Sequence, residues 1–342
     1  MKLSVSDLKK FSHGAVGFEE EKGRIRFYRF TEEQQLLYKN VGDGPFYLYL
    51  KTFTSAGIRL VFKTNSTSLF LKVNISQITT RSYFSYDVYV DEKMVGSIDN
   101  FSDGEMLPDY TVGSYPIGSF SKKFGLGEGI KTVTIYLPWS VVSEIEEISI
   151  DDEAFAEAVK RDKKMLIFGD SITHGYDALH PSKHYTVKIE DYLGADGYNK
   201  SVGGEVFFPE LAKTAEDFVP DYIIVAYGTN DWGFDKDPDD FKSRCKEFYK
   251  ILSEKYPTSK IFAITPIWRA DYKDHRKIGD FMNLANHINE VSSKLPNVYC
   301  IQGFDLVPHQ RSLYADWGLH PNDEGFEYYA NALCKQLNEI VN

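Results

Sequence analysis

The sequence predicts two classes of fold in one chain, an antiparallel all-β sandwich over residues 1–150 and an α/β layer domain with a parallel sheet over residues 151–342. Three observations predict it. At 342 residues the chain is longer than one average domain of about 150 residues. From Gly23 to Ile150 it is a succession of short alternating or aromatic-rich runs separated by Gly, Asn, Asp and Pro clusters, the spacing of an antiparallel sandwich. Beyond residue 151 the apolar runs stop alternating and end in glycine or polar turns, with helix-period segments between them, as in a parallel sheet buried on both faces.

In the first part GRIRFYRF, FYLYLKT, IRLVFKT, SLFLKVNI, YFSYDVYVD, KMVGSID and TVTIYLP each have strand length. Tyr83, Phe84 and Tyr86 are expected in the core rather than on a sugar-binding face, because aromatic rings favour strands and packed interiors. GLGEG at 125–129 precedes a strand-like run and not a helix, so it predicts a hairpin turn rather than a phosphate loop. DDEAFAEAVKRDKK, starting at residue 151, predicts a charged helical junction between the domains. MLIFGD at 165–170, YIIVAYGTND at 222–231, IFAITP at 261–266 and VYCIQG at 298–303 then predict buried parallel strands. Phe241, Cys245, Phe248 and Leu252, and later Phe326, Ala330, Leu333 and Leu337, recur at helical spacing.

Composition narrows the function. Hydrophobic content of 42% with 26% charged residues is globular and excludes disorder or a fibrous chain. A formal net charge of −11 opposes loose association with nucleic acid or an anionic membrane surface. Cys245, Cys300 and Cys334 are odd in number and lack paired spacing, so neither a disulfide framework nor a zinc knuckle is expected. The opening MKLSVSDLKKF turns charged before any apolar run of signal-peptide length, from which a cytoplasmic location is expected. His180 and His184 stand four apart, but Pro181 follows the first and no third ligand stands out; no metal and no cofactor are expected.

In open parallel sheets ligands bind at the carboxyl ends of the strands, and those ends carry the reactive residues here. Gly169-Asp170-Ser171-Ile172-Thr173 places a serine on a tight turn. Asn199-Lys200-Ser201-Val202-Gly203-Gly204 offers backbone N–H groups without a Cβ in the way. Gly228-Thr229-Asn230-Asp231 supplies an amide donor. Asp316-Trp317-Gly318-Leu319-His320-Pro321-Asn322-Asp323 sets an acid and a histidine before a final helix, with Asn322 or Asp323 as its N-cap. Serine, histidine, acid and spare N–H donors are what acyl transfer requires. Tyr176, Asp177, Tyr185, Trp232, Trp268 and Arg269 are expected to wall a small pocket. The loops lack long apolar runs suited to a lipid-binding lid, which favours short acyl groups over fatty chains.

In this order the motifs GDSIT, NKSVGG, GTND and HPND resemble those of the SGNH/GDSL hydrolase superfamily, over roughly residues 164–340. The resemblance implies an α/β/α three-layer, flavodoxin-like domain, with Ser171 as nucleophile and His320 as general base. It assigns the oxyanion hole to the N–H groups of Ser171 and Gly204 and to the side chain of Asn230. The first part resembles the jelly-roll-like accessory domains of two-domain carbohydrate esterases. The implied activity is removal of a short acyl group, acetyl first, from a small-molecule or oligosaccharide ester. An acyltransferase would use the same residues, and an inactive carbohydrate-binding protein would be a different class. The family spaces its acid and histidine as DxxH, whereas Asp316 and His320 here are separated by three residues. Asp316 reaches the imidazole only if Trp317-Gly318 bulges, which Gly318 would allow; otherwise the partner is a backbone carbonyl or an acid such as Asp305.

Overall fold

The computed structural model describes residues 1–42, 47–102 and 117–341. The chain divides into two compact units. The first comprises Met1–Thr31, Leu50–Arg161 and Leu179–Ser182, and the second Glu32–Tyr49, Asp162–Ala178 and Lys183–Asn342. Compared with the single cut expected after residue 150, the chain therefore crosses between units several times. Residues just past 150 stay with the first unit because Ala156–Ala158 pairs antiparallel with Arg59–Thr64.

The first unit is a sandwich of two antiparallel sheets. One runs Ser12–His13, Arg59–Thr64, Lys131–Tyr136, Ser85–Val90 and Lys93–Asp99 in spatial order; the other runs Gly17–Glu21, Arg24–Tyr28, Val141–Ile150, Ser68–Ile78 and Gly118–Gly125. Alternation does the work the sequence suggests: in Arg24–Tyr28 only Ile25 and Phe27 are buried, and they join Phe62, Val73, Val133 and Ile145 in one core. Tyr83, Phe84 and Tyr86 are buried as expected.

Three local expectations are corrected. DDEAFAEAVKRDKK is not a helix, because its centre adds the short strand Ala156–Ala158 to a sheet edge; pairing overrides helix propensity here. Of FYLYLKT, Phe46 lies outside the described residues and Tyr49–Phe53 is a turn of 3₁₀ helix. The Lys51 and Thr54 carbonyls there accept from the buried Arg29 guanidinium at 3.1 and 2.9 Å. GLGEG joins strands of different sheets, Gly118–Gly125 and Lys131–Tyr136, so it is a sheet-to-sheet turn rather than a hairpin.

The second unit has a five-stranded, wholly parallel sheet in the order Ala195–Asn199, Lys163–Gly169, Tyr222–Ala226, Lys260–Ile264, Val298–Ile301. The first strand in sequence is thus flanked by the second and the third, which creates a topological switch point at its carboxyl end. Met165 and Ile167 pack with Tyr185, Phe326 and Leu333, while Phe168 meets Phe248 of the helix Pro238–Lys255. Helices accordingly cover both faces, and the unalternating apolar strands follow from that. The final helix Asp323–Val341 is capped by Asn322, whose Oδ1 accepts from Gly325 N at 3.0 Å. Among the described residues no helix is long and apolar enough to cross a membrane.

The stretch Glu32–Tyr49 lies within the sandwich half of the sequence yet belongs to the second unit. Its helix Glu32–Leu37 is anchored by Gln34, whose amide donates to Thr214 Oγ1 at 3.1 Å and accepts from Lys200 Nζ at 2.9 Å. Lys200 is fully buried and pairs with Glu216 at 3.2 Å.

Candidate active site

Ser171 opens the short helix Ser171–His174 directly after the strand Lys163–Gly169. Asp170 is its N-cap and accepts from Ile172 N at 3.0 Å, which holds the turn and presents the Ser171 side chain at the sheet's edge. His320 comes from the loop before the last helix, and its Nε2 lies 2.8 Å from Ser171 Oγ. Its Nδ1 lies 2.7 Å from Asp316 Oδ2. Serine, histidine and aspartate are thus in hydrogen-bonded sequence.

The extra residue between Asp316 and His320 is absorbed locally. Asp316 Oδ1 accepts from the N–H groups of Gly318, Leu319 and His320 at 3.2, 2.8 and 3.0 Å. One carboxylate oxygen therefore shapes the loop while the other faces the imidazole. The positive φ sits on Trp317, at 64°, and not on Gly318 as expected. Gly318 is needed for another reason: a Cβ there would stand 2.4 Å from Ala270 Cβ, and its carbonyl accepts from Ala270 N at 2.7 Å. Asp305 is elsewhere, 3.1 Å from His309 on the exposed surface.

A second acid stands beside the first. Asp177, expected as a pocket wall, is buried with φ of 70°, and its Oδ2 lies 3.4 Å from His320 Nδ1. Asp177, Asp316 and His320 offer three donor atoms within 4.8 Å of one another, close enough to surround a cation; in the arrangement seen, Nδ1 is engaged by Asp316.

The oxyanion candidates come from the carboxyl ends of three adjacent strands. Gly204, φ 92°, follows Ala195–Asn199 through the NKSVGG loop. That loop is fixed by Asn199, whose Oδ1 accepts from Ser201 N at 3.0 Å, and by His174 Nδ1, which accepts from Gly203 N at 3.1 Å. Asn230 lies in the short helix Thr229–Gly233 after Tyr222–Ala226, and its Nδ2 donates to the Glu205 carbonyl at 2.9 Å. One amide N–H is used in holding Asn230 beside the Gly204-Glu205 backbone, leaving the other for a ligand. The buried Glu205 carboxylate accepts in turn from Tyr227 Oη at 2.8 Å and from Tyr38 Oη.

Four expected wall residues are placed in the packing behind the site instead. Tyr185 is fully buried, stacked on Tyr329 with centroids 4.2 Å apart, and hydrogen-bonded to Thr173 Oγ1. Trp232 is fully buried, with the guanidinium groups of Arg269 and Arg276 5.0 and 4.8 Å from its ring centroid, and donates to the Gly279 carbonyl. Arg269 grips Asp271 with two hydrogen bonds and the Thr229 carbonyl with another at 2.8 Å, steadying the turn that carries Asn230. Trp268 stacks on His309. Tyr176 remains beside His320, the two ring centroids 5.5 Å apart. His180 pairs with Asp87 in the first unit, whereas both ring nitrogens of His184 are occupied by Ile172 O and Thr186 Oγ1.

Sequence reasoning missed a cavity that shares Gly204 with the candidate site. It has a volume of about 310 Å³ and is lined by Gly204, Glu205 and Val206 together with Tyr38, Val41, Gly42, Leu48, Phe208, Phe234 and Lys236. Four of those residues, Tyr38, Val41, Gly42 and Leu48, lie in the half of the sequence read as sandwich. The available signal was EEQQLL at 32–37, which does not alternate as a strand would.

Charge is distributed unevenly around the site. Partial burial works to raise the Asp316 carboxyl, but hydrogen bonds and charge from His320, with the Leu319 N–H, outweigh it and hold the group well below the usual carboxylate range. Burial pushes Asp170 up to about 7, against the Ile172 N–H and the His320 and Arg269 charges. Burial also pushes Asp231 up to about 7, with the Asp170 charge adding to it and the Phe207 N–H opposing. Burial lowers His184 to about 4, so it is a neutral core histidine.

Residues 167–328 match the sequence profile of the GDSL-like Lipase/Acylhydrolase family. A comparison with curated proteins finds no match. Among solved structures, a salicylyl-acyltransferase from a tetracycline biosynthetic pathway is similar with a TM-score of 0.78 at 20% identity, covering 96% of this chain and 94% of that one. A family two carbohydrate esterase from Cellvibrio japonicus gives a TM-score of 0.65 at 15% identity, covering 99% and 97%. An acetyl xylan esterase from the rumen bacterium Butyrivibrio proteoclasticus gives 0.62 at 17%, covering 100% and 99%. At such identities the likeness is one of fold. By sequence over residues 167–328, and by fold over nearly its whole length, this chain is similar to the GDSL-like lipases and acylhydrolases and to two-domain carbohydrate esterases built on the same fold.

Proposed function

We propose that this chain is a serine ester hydrolase of the SGNH/GDSL type that removes short acyl groups, acetyl among them, from a polyhydroxylated acceptor such as an oligosaccharide. The observation that carries the reading is the pair of contacts on one imidazole, Nε2 to Ser171 Oγ at 2.8 Å and Nδ1 to Asp316 at 2.7 Å. Ser171 Oγ attacks the ester carbonyl as His320 Nε2 takes its proton, and Asp316 stabilises the imidazolium that forms. The carbonyl oxygen, now negative, is held by the N–H groups of Ser171 and Gly204 and by the free N–H of Asn230. His320 returns the proton to the departing alcohol oxygen. Water, deprotonated by the same nitrogen, then releases the carboxylic acid and restores Ser171. In this reading the second unit is the catalytic domain and the first an accessory domain.

Acyl transfer is the second reading, because the fold is shared with an acyltransferase; an acceptor hydroxyl would replace water in the last step. An inactive binding protein is the reading that the Ser171–His320 and His320–Asp316 contacts favour least. The test is acid release from aryl acetates and acetylated sugars by the wild type and Ser171→Ala, with and without an added polyol acceptor. Ser171→Ala is expected to lose on the order of 10⁶-fold in kcat with unchanged melting. Wild-type-like activity in that variant overturns the enzyme reading, and acyl transfer to the polyol outpacing acid release favours the transferase.

A further inference from the structure

Ser171 and His320 come from segments 149 residues apart. Asp316 and His320 share one loop, and their contact orients the imidazole within that loop. Asp177 approaches from the serine's side. The N–H groups of Gly175 and Tyr176 both donate to the Ser171 carbonyl, at 3.1 and 3.0 Å, and Ala178 N donates to the Gly175 carbonyl at 3.1 Å. Residues 175–178 therefore fold back on the turn that carries the serine. Positive φ at Gly175, 111°, and at Asp177, 70°, makes that reversal. It sets the Tyr176 ring beside His320 and the buried Asp177 Oδ2 3.4 Å from His320 Nδ1. One segment, Ser171 to Asp177, thus meets both nitrogens of the ring, Nε2 through Ser171 Oγ at 2.8 Å and Nδ1 through Asp177.

We propose that Asp177 is a second acid of this imidazole, a positioning residue that ties His320 to the segment of the nucleophile and shares with Asp316 the charge that His320 takes up. The proposal rests on the hydrolase reading and adds a residue to it. Its basis is electrostatic. Asp316 already spends Oδ1 on three loop N–H groups, which draws part of its charge away from the ring. The facing atoms of Asp177, Asp316 and His320 lie within 4.8 Å of one another. Two carboxylates so close repel each other across a neutral imidazole, and both are compensated once Nε2 has taken the Ser171 proton. The contact is therefore stronger in the transition state than before it, and a contact of that kind raises kcat rather than lowering KM. Neither acid takes up a proton. Nδ1 keeps its hydrogen between the two carboxylates, while Nε2 receives the Ser171 proton and passes it to the departing alcohol oxygen.

The experiment is a double-mutant cycle on the full chain: wild type, Asp177→Asn, Asp316→Asn and the two together, each measured for steady-state hydrolysis of an aryl acetate and for melting. Asparagine tolerates the positive φ at this position, and Asp177→Gly, which adopts it freely, is carried alongside as a second way of removing the carboxylate. Both Asp177 variants are expected to lower kcat by about tenfold or more, with KM within about twofold of wild type. In the Asp316→Asn background the same Asp177→Asn change is expected to cost a larger factor than in the wild type, because Asp177 is then the one acid left of the pair. A kcat loss below about threefold in both Asp177 variants, or a raised KM with kcat unchanged, overturns the proposal. So does an equal factor in the two backgrounds, which marks independent structural effects, or a loss matched by unfolding of both variants at the assay temperature. None of these outcomes alters Ser171-dependent hydrolysis by the wild type; activity retained by Ser171→Ala is instead a failure of the hydrolase reading.

Discussion

The two sides of Ser171 are built differently. On the side of the proposed base, Asp316 and His320 stand four residues apart, and the aspartate fixes the loop through three consecutive backbone N–H groups. That side is a local device, self-contained within one turn. On the side of the proposed oxyanion donors, Asn230 and Glu205 are joined by contacts that reach to Tyr227 and back to Tyr38, 167 residues before Glu205 in the chain. A local device tolerates an inserted residue by reshaping its own loop, as the DxxxH spacing shows. A long-range one holds its geometry only if several separate segments pack correctly, so its perturbation is expected to spread.

The largest effect should come from breaking the local side. Asp316→Asn keeps an oxygen for the loop N–H groups but removes the charge facing His320, and a fall of about 10²–10⁴-fold in kcat is expected without a change in fold. A loss below about threefold would remove Asp316 from the mechanism and make Asp177, 3.4 Å from the same nitrogen, the next acid to substitute. Next is Asn230→Ala, expected to lower kcat by about 10²–10³-fold, or about 2.7–4 kcal/mol, as one oxyanion donor does. Steady-state kinetics showing only a raised KM would move Asn230 to ground-state binding.

Tyr38→Phe tests whether the oxyanion side is really long-range. It deletes one donor to the buried Glu205 carboxylate while leaving the ring in the cavity wall, and costs about 1–2 kcal/mol. The expected outcome is a drop of about 5- to 30-fold in kcat for aryl acetates, with KM little changed. An unchanged kcat would make Tyr38 a packing residue only.

The smallest effect concerns Asp231, buried behind Asn230. Its folded pKa of about 7 is raised above the ordinary 3.8, so the folded state binds the proton more tightly than the unfolded one. Its contribution to stability is full below about pH 4 and is lost as pH rises through 7. Asp231→Asn should therefore raise Tm by a few degrees at pH 8 and by less at pH 5. An equal shift at both values would mean the carboxyl is not titrating in that window. Asp316 has the opposite sign: its lowered pKa gives stability that is present above the unfolded value and lost as pH falls through the folded one.

The sequence by itself determined the two fold classes, because alternation and unbroken apolar runs are direct imprints of half-buried and fully buried strands. It also located the serine, histidine and aspartate that meet in the second unit, and the glycine and asparagine proposed as donors, since each lies in a turn that follows a strand or precedes a helix. Tertiary structure alone decided what distant segments contribute. It assigned residues 32–49 to the second unit, turned an expected junction helix into an edge strand, moved Tyr185, Trp232, Trp268 and Arg269 from the pocket into its support, and brought Asp177 to the back of His320. The physical reason is that aromatic and charged side chains fit a wall, a core or a clamp equally well by residue type. Which of these they become depends on partners that the chain brings near only when it folds.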